Sequence, residues 1–122
     1  MILLKGLIIK APWIDLILSN QKIWEIRGFN TKIRGQILLI KSGTGKVFGT
    51  ANIVDSFELT LEQFQKSYFQ HKISIDAFAK LPYKHKYAWV LTNAKSYINP
   101  IPYDHPQGAV IWVNIDNDIL KE

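Results

Sequence analysis

The chain has 122 residues, no cysteine and a formal net charge of +5. A chain of this length is expected to form one domain, here residues 1–122. Without cysteine, disulfides and thiolate metal sites are excluded, and we expect a cytoplasmic location. Lys5 and Lys10 interrupt the apolar run at Leu7–Ile9, so neither a signal peptide nor a membrane span is predicted.

The basic residues are concentrated in the first 50 positions, which hold eight Lys or Arg against two acidic residues. Such a concentration suggests an anionic partner, most simply a phosphate backbone. Lysines on solvated strand edges, which discourage aggregation, would produce the same asymmetry. Charge alone therefore favours a nucleic-acid partner only weakly.

The first part of the chain predicts a strand, a helix and a second strand. Residues 1–10 are rich in Leu and Ile and predict a strand buried on much of both faces. Pro12 suits the first turn of a helix over about 12–19, because its missing N–H would be unpaired there. Asn20 tolerates the left-handed conformation that ends a helix. A charged strand, Lys-Ile-Trp-Glu-Ile-Arg, follows at 22–27.

The middle of the chain predicts two strands joined by a tight turn. Residues 28–34 form a basic loop, and residues 36–41 form an apolar strand. The Gly-containing segment 42–46 lacks the spacing of a phosphate loop and predicts a hairpin into a strand at 47–57. Asp55 falls on the apolar face of that strand. This position requires either a bulge before Asp55 or a buried partner for its carboxylate.

The remaining predicted elements are a helix opened by a capping box at Thr60–Gln63, a short helix at about 75–80, a strand at 87–91, an extended connector at 100–102, a strand at 109–115, and a tail that frays from Asp116. Six or so strands with one N-terminal helix and a short helical insertion predict an α+β fold. Its sheet should be mostly antiparallel. At this size such a sheet protects its edges best by curling into a small β-barrel.

The charged strand is the most informative stretch for function. Glu25 and Arg27 share a face, because alternate side chains of a strand point the same way. Lys22 has the opposite parity, so it joins them only if it lies in the turn after the helix. A carboxylate, a guanidinium and an indole together suit a flat polar ligand. The simpler alternative is an ordinary surface ion pair.

Several short motifs occur in a particular order along nearly the whole chain: Pro12-Trp13, Lys22 with Glu25 and Arg27, Arg34-Gly35, Gly49-Thr50-Ala51, Tyr87-Ala88-Trp89, Pro100 with Pro102, and Gly108. This order resembles the ASCH domain family of the PUA-like superfamily. The K-x-x-E-x-R run just after the first helix is its most specific part. The resemblance implies a small PUA-like β-barrel with a cleft lined by that run, and a partner that is RNA, a nucleotide or a nucleoside.

The resemblance also implies two kinds of hydrolase. One branch of the family hydrolyses the acetyl amide of N4-acetylcytidine with a lysine, a threonine and a glutamate, and another member has been described as a ribonuclease. By this likeness the lysine corresponds to Lys22 and a strand arginine to Arg27. Glu25 occupies the threonine position, and the family's glutamate has no assigned counterpart. Three alternatives stay open: a binding protein, a hydrolase with Lys22 and Glu25 as catalytic residues, and a non-catalytic interaction module.

Around Lys22 and Glu25 we expect a set of ligand-binding residues: Arg27, Lys10, Trp13, Arg34, Ser42 and Lys46. The tryptophans Trp13 and Trp24 either stack on a base or belong to the core. The family resemblance places the strand that ends at Ser42 at the border of the cleft, so the Ser42 hydroxyl or the Gly43 amide is expected to contact a phosphate.

No cofactor is expected. The histidines His71, His85 and His105 lack ligand spacing, so no metal site is predicted. No membrane partner is expected, and the protein is expected to be a monomer. The roles of His105 and of the basic loop at 80–86 stay open.

Overall fold

The computed structural model describes residues 2–121, so Met1 of the predicted first strand and Glu122 of the predicted tail lie outside it. The elements are β1 (Leu3–Ile9), α1 (Trp13–Leu18), β2 (Trp24–Arg27), β3 (Gly35–Lys41), β4 (Lys46–Leu59), α2 (Leu61–Lys66), α3 (Tyr68–His71), α4 (Ile75–Phe78), β5 (Lys86–Pro102), β6 (Trp112–Asp116) and a 3₁₀ helix (Asn117–Lys121). The α+β class is therefore confirmed.

The six strands form one sheet in the order β2-β5-β4-β3-β1-β6. The β1–β3 pair is parallel, and the other four neighbouring pairs are antiparallel. The prediction of a closed barrel is wrong for the described residues, because β2 and β6 remain the edges of an open sheet. The sheet curls enough for Arg27 of β2 to donate from Nη2 to the Ile8 carbonyl of β1 at 2.8 Å. The Arg27 side chain therefore connects β2 with β1, and no backbone pairing joins these two strands in the described residues.

The largest group of buried apolar residues lies between α1 and the sheet. Its members come from both layers and are Leu7, Ile9, Ile14, Ile17, Ile37, Leu39, Ala51, Ile53, Trp89 and Leu91. Gly49 sits where β4 approaches its neighbours most closely, since an added Cβ would collide with the Lys95 carbonyl oxygen and lie 2.7 Å from Leu18 Cδ2.

Bulges in β4 explain the position of Asp55. The register with β5 shifts between Ile53 and Asp55, and Asp55 is exposed. An extra residue in one strand turns the following side chains to the other face. The bulge is thus the correct one of the two interpretations.

The helical parts agree with the sequence in their starts and differ in their extent. Asn20 has φ of 63°, as expected for a helix end, and the Thr60–Gln63 capping box is formed. The insertion contains three short helices instead of two. The prediction that the tail frays from Asp116 is wrong, because Asp116 is the last residue of β6 and a 3₁₀ helix follows it. Ile119 and Leu120 of the 3₁₀ helix pack against buried residues, and this burial orders the tail.

Candidate functional site

A cleft of about 850 Å³ lies where β2 approaches β1. Clefts that hold small ligands usually measure about 300–1,000 Å³. We call the side chains of Lys22, Glu25 and Arg27 the charged floor, and all three line the cleft. Its walls come from residues 81–83 and from the segment between β5 and β6.

Lys22 lies in the turn after α1, as the alternation of the strand required. Its side chain is 0% exposed, and Nζ donates to the His71 carbonyl at 2.6 Å. The ammonium also lies 4.0 Å from Glu25 Oε1 and 5.0 Å from the centre of the Trp13 ring. The C-terminal end of α3, which carries His71, therefore holds Lys22 beside the charged strand.

Glu25 and Arg27 form a tight pair on β2. Arg27 donates to Glu25 Oε2 from Nε at 3.0 Å and from Nη2 at 2.8 Å. Nη2 also holds the Ile8 carbonyl, and the guanidinium lies 5.7 Å from the centre of the Trp89 ring. These contacts fix the plane of the guanidinium, so the pair presents a preorganised surface to the cleft.

Two atoms of this pair have no hydrogen-bond partner within residues 2–121: Glu25 Oε1, an acceptor, and Arg27 Nη1, a donor. Neither atom is fully buried, because every fully buried side-chain nitrogen or oxygen in the described part of the chain is hydrogen-bonded. The pair therefore keeps one acceptor and one donor that the described residues do not hydrogen-bond.

Burial lowers the pKa of Lys22 from 10.5 to about 8; the Arg27 charge also lowers it, and Glu25 acts in the opposite direction. Loss of hydration disfavours the ammonium form when the compensating contacts are few. An appreciable fraction of neutral amine is therefore present near neutrality, and this form can accept a proton.

His71, the neighbour of Lys22, is a structural residue. Its Nε2 donates to the Phe64 carbonyl at 2.7 Å, and its Nδ1 accepts from the Ile73 amide at 2.9 Å. The ring stacks on Phe64 with centroids 4.0 Å apart. Burial lowers the pKa of His71 below 6.5, which matches the neutral tautomer that these bonds require.

The residues predicted from the sequence divide into two groups. Lys10, Trp13 and Ser42 line the cleft together with the charged floor. Arg34 and Lys46 do not line it, and Arg34 instead donates to the carbonyls of Thr31 and Ile33.

The two tryptophans also separate. Trp24 packs edge-on against Phe57 at 5.3 Å and does not line the cleft, whereas Trp13 forms part of it.

Aromatic residues of the cleft walls were missed by the sequence reasoning. Phe29, Tyr83 and Tyr103 all line the cleft. Tyr83 packs against Gly28, where an added Cβ would lie 2.7 Å from Tyr83 Cδ1. A glycine directly after the charged strand was the only local signal, and it did not indicate which aromatic residue would cover it.

His105 also lines the cleft, but both of its ring nitrogens are engaged. Nε2 lies 2.9 Å from the Ala109 carbonyl and must donate to it, so Nδ1 at 2.7 Å accepts from the Tyr103 hydroxyl. His105 therefore holds the wall segment together.

Among residues 2–121, no cluster of three or more His, Asp or Glu side chains is arranged to bind a metal ion. None of the helices in the described part of the chain is long and apolar enough to cross a membrane.

The fold and the cleft together define a small α+β protein with a cleft lined by the Lys22, Glu25 and Arg27 side chains. The ASCH domain model matches residues 7–102, so the chain belongs to the ASCH domain family, a PUA-like fold family often linked to RNA binding. A sequence search of curated proteins finds no match.

Solved ASCH structures have the same fold. The crystal structure of an ASCH protein from Zymomonas mobilis gives a TM-score of 0.72 at 14% identity and covers 96% of this chain and 90% of that one. Two point mutants of that protein, each at 14% identity and covering 96% of this chain, give TM-scores of 0.71 and 0.68 and cover 93% and 91% of their own chains. At this identity the likeness shows the fold alone.

Proposed function

We propose that this protein binds RNA, or a nucleotide or nucleoside derived from it, with one base in the cleft above the charged floor. The observation that carries the proposal is that Glu25 Oε1 and Arg27 Nη1 have no hydrogen-bond partner within residues 2–121 and belong to side chains that line a cleft of ligand size. A nucleobase carries both donors and acceptors on its edge, and these complement an acceptor and a donor of the protein.

The direction of each hydrogen bond follows from the charges. Glu25 Oε1 accepts from an exocyclic amine or ring N–H, and Arg27 Nη1 donates to a carbonyl or ring nitrogen. Because the Arg27 guanidinium is already fixed by Glu25 and Ile8, little conformational entropy is lost on binding. A base that cannot supply both partners leaves a poorly solvated group unpaired, and this penalty gives selectivity.

Aromatic walls supply the second half of base recognition. Phe29 is 43% exposed and lines the cleft with Trp13 and Tyr83. Base–aromatic stacking contributes about 1–3 kcal/mol per base in single-stranded nucleic-acid complexes. Stacking fixes the plane of the base, and the charged floor then reads its edge.

Titration of nucleosides, mononucleotides and a short single-stranded RNA, followed by tryptophan fluorescence, tests the proposal. Glu25→Gln retains an acceptor for Arg27 and removes the negative charge, so the affinity should fall about tenfold or more. The matched control is Glu58→Gln, since Glu58 is exposed and, among residues 2–121, forms its one ion pair with His85.

RNA binding, but not nucleoside binding, should also weaken steeply with salt. Equal affinity in both glutamate variants would contradict base recognition by the floor. If Glu25→Gln changes only the stability and no ligand binds, the protein is an interaction module.

A second candidate function, hydrolysis, is favoured by the environment of Lys22. The pKa of about 8 makes Lys22 a suitable general base near neutrality. Neutral Lys22 would take a proton from water as the water attacks the acetyl carbonyl of an N4-acetylcytidine-type amide. Arg27 would stabilise the oxyanion, and transfer of that proton from the Lys22 ammonium to the leaving amine would break the amide C–N bond and give acetate and cytidine. Glu25 is the only carboxylate among the described residues of the cleft, so the family's separate glutamate has no counterpart there.

Incubation with N4-acetylcytidine, and separately with single-stranded RNA, tests this candidate by product analysis. If Lys22 is the base, kcat/KM should rise with pH through about 8, and Lys22→Met should abolish turnover. Lys32→Met, at an exposed lysine away from the cleft, is the matched control. Turnover no faster than the enzyme-free control would remove hydrolysis and leave the binding proposal intact.

A further inference from the structure

A turn that lines the same cleft carries backbone and side-chain donors in addition to those of the charged floor. We call residues 42–45, between β3 and β4, the glycine turn. Ser42, Gly43 and Gly45 line the same cleft as the charged floor, and Lys10 at the end of β1 lines it beside them. Ser42, Gly43 and Lys10 are exposed.

The glycine turn is held by hydrogen bonds at both ends. The Ser42 amide donates to the Ile9 carbonyl at 2.9 Å, and the Gly45 carbonyl accepts from the Tyr103 amide at 3.1 Å. Inside the turn, the Thr44 hydroxyl donates to the Lys41 carbonyl at 2.7 Å and accepts from the Lys46 amide at 3.2 Å. The turn is therefore tied to β1 and to the cleft wall before any ligand arrives.

These bonds leave four donors without a partner within residues 2–121: the amides of Gly43 and Gly45, the Ser42 hydroxyl and the Lys10 ammonium. Gly43 and Gly45 have φ of 83° and 67°, and an added Cβ at either would meet nothing within 4 Å. The backbone of the turn is thus open to a ligand. Backbone amides in turns with left-handed residues form concavities that bind anions.

The charge of the cleft favours an anion at this end. Its lining carries the basic residues Lys10, Lys22 and Arg27 against the single carboxylate of Glu25. That carboxylate is already paired with Arg27, whereas Lys10 has no ion-pair partner in the described part of the chain. A dianionic group would meet one free ammonium and three neutral donors.

We infer that the glycine turn and Lys10 form a phosphate subsite, which binds the phosphate ester of the nucleoside whose base lies on the charged floor. This inference rests on the proposed function and narrows it, because the preferred ligand is then a nucleotide or an RNA phosphodiester instead of a free nucleoside. Lys10 supplies the charge, while Ser42 and the glycine amides fix the position of the phosphate oxygens.

The test compares each common nucleoside with its 5′- and 3′-monophosphates and with a short single-stranded RNA, by calorimetric titration of the full chain. The wild type should bind one monophosphate about tenfold or more tightly than its nucleoside, since the phosphate adds charge-assisted hydrogen bonds. In the double variant Lys10→Gln, Ser42→Ala, this ratio should fall towards one. Lys32→Gln, the same change of charge outside the cleft, should keep the wild-type ratio.

Comparison of the two monophosphates with the RNA identifies the source of the phosphate. A terminal phosphate subsite favours one monophosphate over the RNA, and a phosphodiester subsite favours the RNA. Either preference supports the phosphate subsite, provided that the preference is lost in the double variant.

Failure of the subsite differs from failure of the proposed function. If nucleosides bind and Glu25→Gln weakens them, but phosphate adds no affinity, the subsite is wrong and base recognition stands. If inorganic phosphate binds, as measured by ³¹P line broadening that the double variant abolishes, while no nucleoside binds, base recognition is wrong and the anion site stands. Absence of all binding overturns both.

Discussion

Lys22 lies between two polar groups, the His71 ring and the Glu25–Arg27 pair. The two differ in how many of their hydrogen-bonding atoms have a partner. On one side, both ring nitrogens of His71 are bonded to backbone groups of the helical insertion. On the other side, the charged floor leaves Glu25 Oε1 and Arg27 Nη1 without partners within residues 2–121. A fully satisfied buried group contributes to stability, whereas unused capacity in an accessible cleft indicates a ligand.

The two groups are also coupled. Lys22 Nζ donates to the carbonyl of His71, so the residue that completes the insertion also positions the ammonium of the floor. The helical insertion therefore does more than cover a second cluster of buried apolar residues, which contains Ile26, Phe64 and Ile73. The His71 carbonyl in this insertion determines where the charge of Lys22 lies relative to Glu25.

The largest expected effect is the loss of stability in His71→Leu. Removing the ring leaves the Phe64 carbonyl and the Ile73 amide unpaired in the interior, which should lower the free energy of unfolding by about 2–4 kcal/mol. Urea denaturation measures this, with His85→Leu as the control because His85 is exposed. The comparison fails if the two variants lose equal stability.

The next largest expected effect is a change in the free energy of unfolding at alkaline pH, caused by the titration of Lys22. Its pKa is about 8 in the folded protein and 10.5 unfolded, so the unfolded state binds more protons between these values. The free energy of unfolding should therefore rise with pH over this window, by up to about 3 kcal/mol. Urea denaturation at several pH values, compared with Lys22→Met, isolates this rise. An identical pH profile in the variant would show that Lys22 is not the source.

A smaller effect is expected for Arg27→Lys, which keeps the charge and loses the planar fork. Nη1 and the double contact with Glu25 disappear together, so nucleotide affinity should fall about tenfold, or about 1.4 kcal/mol. Arg34→Lys, outside the cleft, is the matched control in the same fluorescence titration. A loss in both variants would point to net charge alone.

The smallest effect is a decline of stability in weak acid. Burial lowers the pKa of His71 below 6.5, so the stability that neutral His71 contributes is present above pH 6.5 and is lost as the pH falls towards the folded-state pKa. Between about pH 7 and 5 the wild type should lose more stability than His71→Leu. Thermal unfolding over this range checks it, and parallel curves would assign the acid response to other groups.

Much of the fold was accessible from the sequence because its signals are local. The Thr60–Gln63 capping box and the left-handed residue Asn20 after α1 depend on neighbouring residues alone. For Asp55 the sequence left a bulge and a buried partner as alternatives, because the register of β4 is set by its pairing with β5. β5 extends to Pro102, well beyond the predicted strand at 87–91, because pairing with β4 orders a polar stretch that has no strand pattern of its own. The barrel prediction failed for a related reason. Closure depends on how the distant edge strands β2 and β6 meet, and here β2 instead contacts β1, the neighbour of β6, through the Arg27 side chain.

The residue types and spacing of the K-x-x-E-x-R run determined that Glu25 and Arg27 share a face, since strand alternation is a property of the backbone. Tertiary structure decided the rest of the candidate site. The His71 carbonyl, the Ile8 carbonyl and the glycine turn come from three separate segments, and they converge because the sheet curls. Local propensity carries no information about such convergence, because contacts between distant segments depend on the packing of the whole chain.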